Sequence, residues 1–163
     1  RRLAVRRLAE RAADTGGVSL ELVVTKEFER ARLRTIAEAP VTALQGVGDV
    51  AAAALMRYRV RTVRDLADWK FARSAEAIAE LGAMPSQVRL DGAEMNVAAA
   101  VDKDWETAGL GQLVDAPLHA IQGITPEGAE ELAKARIKTI GQLGSWKFYK
   151  WARAIVVLAD LER

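Results

Sequence analysis

Residues 25–84 and 102–161 carry the same unit twice, in register at an offset of 77 and without a gap. From Thr25/Asp102 to Leu81/Leu158, 21 of 57 paired positions are identical, enough to let each copy serve as a control on the other. The shared residues include Lys26/Lys103, Ala39-Pro40/Ala116-Pro117, Gln45-Gly46/Gln122-Gly123, Leu55/Leu132, Arg59/Arg136, Thr62/Thr139 and Trp69-Lys70-Phe71/Trp146-Lys147-Phe148. A repeat of this length means one supersecondary unit written twice, so the fold must be assembled from two copies of it. The division that follows is a lead-in at 1–24, a first repeat at 25–84, a linker at 85–101 and a second repeat at 102–163.

Half of the 163 residues are apolar and 28% are charged, a balance that supports a folded core. No apolar run reaches the ~18 residues of a membrane span. The absence of cysteine excludes thiolate chemistry and fits a reducing, cytoplasmic setting. The net charge of +2 is unevenly spread: residues 1–14 hold Arg1, Arg2, Arg6, Arg7 and Arg11 against Glu10 and Asp14, giving +3 and leaving −1 elsewhere. Neither repeat is a broadly basic body.

Local signals point to helices throughout. Residues 1–13 place Leu3, Ala4, Leu8 and Ala12 on one face among arginines, and Gly16-Gly17 stops the run. A second helix is expected from Ser19, and Asn96 is placed to cap one starting at Val97. Proline at Pro40 and Pro117 suits a first helical turn. Helices are predicted from Asp49 to about Arg57 and from Pro126 to about Ala135. Thr62 and Thr139, with Asp65 and Gln142 three residues on, have the spacing of capping boxes. A last helix is expected after Asp68 and after Ser145, with Phe71, Ala75, Ile78 and Phe148, Ala152, Ile155 as its apolar face. Sustained period-two alternation is missing, and the expected class is all-α, with four or five helices in each repeat.

The run from Val41 to Leu55, with Gly46-Val47-Gly48 at its turn, resembles the helix-hairpin-helix motif. The second copy, Leu118 to Leu132, matches it except that Gly123-Ile124-Thr125 carries threonine in place of the second glycine. In such a turn the first glycine permits a backbone conformation closed to other residues. Val47 and Ile124 plug the space between helices, and Ala52 and Ala129 let them approach. Ile137-Lys138-Thr139-Ile140-Gly141-Gln142-Leu143 also resembles the stretch that follows these hairpins in family members. The resemblance covers roughly 24 residues of each repeat. It implies sequence-independent nucleic-acid binding as the commonest activity, with hairpin amides and a helix N-terminus holding a backbone phosphate. Members that bind DNA carry a lysine or arginine just after the hairpin; here Asp49-Val50 and Pro126-Glu127 stand there.

Cations cluster after the second hairpin helix: Arg57, Arg59, Arg61 and Arg64 in one copy, Lys134, Arg136 and Lys138 in the other. They read either as partners of a helix C-terminus or as a phosphate-contact strip. Trp69 and Trp146 fold back over the preceding turn or act as paired docking anchors beside Lys70 and Lys147. Arg2 and Arg6 are the docking candidates of the N-terminal helix. His119 is matched by Thr42 and has no repeated partner. With no Ser/His/Asp set, phosphate loop or metal-ligand spacing, an enzyme, a metal and a cofactor are not expected. The favoured function is a non-catalytic scaffold or assembly subunit that docks protein partners through two related faces. The alternative is nucleic-acid binding through the hairpin amides and adjacent arginines.

Overall fold

The computed structural model describes residues 17–85 and 89–163, all helices and turns with no membrane-spanning helix among them. The arginine-rich helix expected over 1–13, with Arg2 and Arg6, falls outside the described residues. In the first half, α1 (Leu33–Ala37), α2 (Asp49–Met56), α3 (Val63–Ala67) and α4 (Lys70–Gly82) follow one another, with 3₁₀ turns at Lys26–Phe28 and Val41–Ala43. The second half repeats this order as α5 (Leu110–Val114), α6 (Pro126–Lys134), α7 (Ile140–Gly144) and α8 (Lys147–Ala159), with 3₁₀ turns at Lys103–Trp105 and Leu118–Ala120. A further 3₁₀ turn, Ala98–Ala100, precedes it.

Backbone details recur at the same offset. Antiparallel bridges tie Val24 to Leu44 and Pro40 to Thr62, and again Val101 to Ile121 and Pro117 to Thr139. Gly46 and Gly123 hold φ of +99° and +102°, the left-handed side that favours glycine. Arg59 and Arg136, at φ 61° and 66°, close α2 and α6 with the same hydrogen bonds. The Val60 N–H reaches the Leu55 carbonyl and the Arg59 N–H that of Met56; Ile137 and Arg136 repeat this on Leu132 and Ala133. This double bond is a Schellman stop, and its apolar pair, Val60 with Leu55 or Ile137 with Leu132, is buried.

Both threonine caps form. Thr62 Oγ1 accepts from the Asp65 N–H at 3.0 Å while Asp65 accepts from the Thr62 and Arg61 N–H groups at 3.1 Å. Thr139 caps Gln142 likewise at 3.1 Å, but the Gln142 side chain reaches back to the Lys138 N–H at 2.8 Å. Other local expectations need correction. The stretch after Ser19 is a turn that bridges to Leu44, and Asn96 caps only the Ala98–Ala100 turn. Asp68 and Ser145 end α3 and α7, whose carbonyls their N–H groups bond, so Trp69 and Trp146 become the flanking residues of α4 and α8. The segments after the two prolines tighten to single 3₁₀ turns.

The larger correction concerns packing. The two repeats are not separate compact bodies joined by a linker. The most extensive helix contacts all cross between halves: α4 lies on α5 and α7, α8 on α1 and α3, and α2 on α6. Each crossing has its equivalent 77 residues away, so the relation is isologous, like a twofold dimer interface within one chain. Area favours this arrangement: a sixty-residue half is marginal alone, and the long helix of each half adds to the other's core. Leu44, Leu55, Leu66, Leu113, Leu132, Ile140 and Leu143 belong to one continuous buried cluster spanning both halves. Each such side chain stabilises the fold by roughly 1.5–3 kcal/mol relative to exposure. Ile78, Ile155 and Phe148 are buried as the periodicity predicts, but Phe71 is only half-buried.

Candidate functional site

Each glycine turn is lined by the opposite half. The tip of the Phe148 ring lies 3.2 Å from where a Cβ would stand on Gly46, and that of Phe71 lies 2.8 Å from the same point on Gly123. Both phenylalanines cover the opposite turn; Phe148 is further covered by Trp151 at 5.6 Å, where the first half has Ser74, and Phe71 is left half-buried. Lys70 and Lys147 are exposed, and each ammonium sits 5.1 Å from the centroid of the neighbouring Phe71 or Phe148 ring. A cation therefore stands over the ring that covers each turn, and Lys70 shares a groove with Gly123.

The turns differ in what they offer a ligand. Val47 and Ile124 are buried plugs, as their side chains require. Gly48 precedes α2 without a side-chain acceptor for the helix amides, and Asp49 is exposed. In the second copy Thr125 Oγ1 already accepts from the Gly128 N–H at 3.1 Å, and Pro126 has no N–H to give. Arg57 reaches this turn from the first half, 3.5 Å from Thr125 Oγ1 and 3.8 Å from the Glu127 carboxylate. The second turn is thus largely self-satisfied, and the first is open but acidic at its exit.

The expected cation strip is divided. Arg57, Arg59 and Lys70 share a groove of about 610 Å³ with Asp65, Asp68, Phe71 and Gly123. Arg64 turns away to Glu38 at 2.6 Å and Asp160 at 3.6 Å. Arg61 is exposed and contributes its backbone N–H to Asp65. In the second half Lys134 pairs with Glu131 at 2.9 Å, whereas Arg136 and Lys138 extend from the surface. Burial tends to raise the Asp65 carboxyl, but the Thr62 and Arg61 amides outweigh it and hold the group below the usual carboxylate range.

Trp69 is buried at 5% exposure, 5.4 Å from the Tyr58 ring and 6.1 Å from Phe71, so it is a core residue and no docking anchor. Its Nε1 and the Tyr58 hydroxyl are buried without a hydrogen-bond partner, and burial pushes the Tyr58 phenol up. Trp146 is half-buried against Phe148 at 5.3 Å. His119 is half-buried. Among the described residues no group of three or more His, Asp or Glu side chains is placed to hold a metal ion.

Two features escape a motif search. On α2, Val50 and Met56 are 54% and 53% exposed with Ala53 exposed between them, an apolar strip where α6 carries Glu127, Glu130 and Ala133. A groove of about 750 Å³ between α4 and α8 gathers Lys70, Arg73, Glu76, Glu80, Lys150 and Arg153. Part of the signal lies in departures from the repeat, at Val50/Glu127 and Ala53/Glu130 on the strip and at Glu76/Arg153 and Glu80/Val157 in the groove. The chain matches no protein-family model, no curated protein and no solved structure.

Proposed function

We propose that the chain is a non-catalytic interaction module, built as a tandem helix-hairpin-helix pair, whose first half docks a protein partner. The observation that carries this reading is the outer face of α2. Val50, Ala53 and Met56 follow at three-residue spacing and are exposed, while the equivalent positions of α6 present two glutamates. An apolar strip kept in water on one copy and replaced by charge on the other fits a contact surface better than packing. The acidic exit at Asp49 and the Thr125–Pro126 seal on the second turn argue in the same direction, since both compete with phosphate for the amides.

The nucleic-acid reading keeps one specific support. Arg59 and Arg136 occupy left-handed backbone positions that cost a non-glycine residue roughly 1 kcal/mol, and both copies nevertheless carry exposed arginine there. Two arginines related by the internal symmetry suit two phosphates of a duplex.

The two readings separate in one set of measurements. Val50→Glu with Ala53→Glu copies the two glutamates of α6, Glu127 and Glu130, onto α2 and is expected to abolish capture of protein partners by the full chain without changing its melting curve. Duplex binding is expected to be negligible near physiological salt and to rise in an Asp49→Lys variant. Salt-resistant duplex binding that is lost on changing Arg59 and Arg136, together with partner capture indifferent to the α2 substitutions, would replace docking with nucleic-acid binding.

A further inference from the structure

Positions 76 and 153 are the same site in the two halves, 77 residues apart, and they touch. Arg153 Nη1 donates to Glu76 Oε1, Tyr149 Oη donates to the same oxygen at 3.3 Å, and Lys150 Nζ lies 3.8 Å from Oε2. A residue that meets its own equivalent lies on the axis relating the halves. If both halves carried the same residue there, like charge would face like charge.

Packing has diverged in the same complementary way. The Tyr58 hydroxyl comes within 2.1 Å of where a Cβ would stand on Gly128; the equivalent pair is Ala135 with Ala51. A Val114 methyl comes within 2.6 Å of a Cβ built on Gly82; that pair's equivalent is Ala37 with Ala159. Two first halves placed together would drive Tyr58 against Ala51 and Glu76 against Glu76. Two second halves would drive Val114 against Ala159 and Arg153 against Arg153.

We propose that the interface between halves is a heterotypic lock: the surface of the first half around Glu76 and Tyr58 accepts only the Arg153 and Gly128 surface of a second half, in the same chain or in another copy, and rejects its own kind. Attraction at Glu76–Arg153 selects the correct pairing, and like charge and overlap disfavour both wrong ones. The inference does not depend on what the module docks.

The test uses the full chain with residues 86–88 replaced by a protease site, cut after folding. Native mass spectrometry is expected to find the two pieces held one to one, and to find the same pairing alone after denaturation and refolding of the cut protein. Glu76→Arg places two arginines on the axis and is expected to weaken the cut complex about tenfold, and adding Arg153→Glu to restore it to within about threefold. Separation into two folded monomers, a statistical mixture of like and unlike pairs on refolding, or a Glu76→Arg complex as tight as the parent would each overturn the proposal. The reversed pair keeps the test decisive where the single variant fails to fold, since it restores assembly only if the charges choose the partner.

Discussion

Gly144 is where the interlocked packing is most exposed to a single methyl group. A Cβ on this last residue of α7 would stand 2.5 Å from the Ala75 carbonyl oxygen, 2.6 Å from its carbon and 2.7 Å from the Glu76 nitrogen. All three are backbone atoms of α4, so no rotamer change relieves the overlap. Ordinary contact begins near 3.4 Å. The two helices must therefore part by roughly 0.9 Å, an overpacking whose typical cost is about 1–3 kcal/mol. We take the upper end, because the obstruction is backbone on both sides and the α4–α7 contact belongs to the shared core. The better helix propensity of alanine returns at most about 1 kcal/mol, so Gly144→Ala is expected to cost about 2 kcal/mol. For a chain of this size that lowers Tm by about 4–8 °C. Urea unfolding followed by far-UV circular dichroism reads the effect, with Gly17→Ala as control. A Cβ there meets nothing within 4 Å, and its midpoint should stay within about 0.5 kcal/mol of the parent. A Gly144→Ala midpoint equal to or above that of the parent would refute the close crossing of α7 on α4.

Two further outcomes follow from the same structure. Gly46→Val and Gly123→Val each place a β-branched residue at φ near +100°, and each is expected to cost about 1–3 kcal/mol in chemical denaturation; unchanged midpoints for both would mean the turns are built differently. The Glu162 carboxylate accepts from the Leu33 N–H at 2.7 Å and the Arg34 N–H at 3.3 Å, capping α1 from the far end of the chain and holding its pKa below the ordinary value. Its contribution is present above the unfolded carboxyl pKa of about 4.3 and is lost as pH falls through the lower folded value. Glu162→Gln should therefore narrow the stability difference from the parent as pH drops from about 5 to 3, and parallel pH curves for the two proteins would sink the assignment.

What was legible in the sequence is what short-range chemistry decides. The repeat, the helical class, the positive φ of Gly46 and Gly123, the plugs Val47 and Ile124, and the Thr62 and Thr139 caps rest on bonds or contacts between residues only a few positions apart. Such features carry their own residue types, and finding each twice removed ambiguity. The misread features were those where distance along the chain ceases to matter. α1 starts at an arginine because its cap is Glu162, well over a hundred residues away, and α5, lacking an equivalent partner, uses Gln112 on the Gly109 N–H instead. Trp69 was ambiguous because its indole packs on Tyr58, and Phe71 and Phe148 each cover the glycine turn of the opposite half.

Above all, the sequence declared two copies without saying whether they stand apart or interlock. That choice belongs to the tertiary structure, because a half of this size is marginal alone and the crossed helices bury further apolar surface against its own repeat. Once the halves interlock, the departures from the repeat acquire meaning. Glu76 and Arg153 read along the chain are two surface charges; folded, they are one position facing itself with opposite signs.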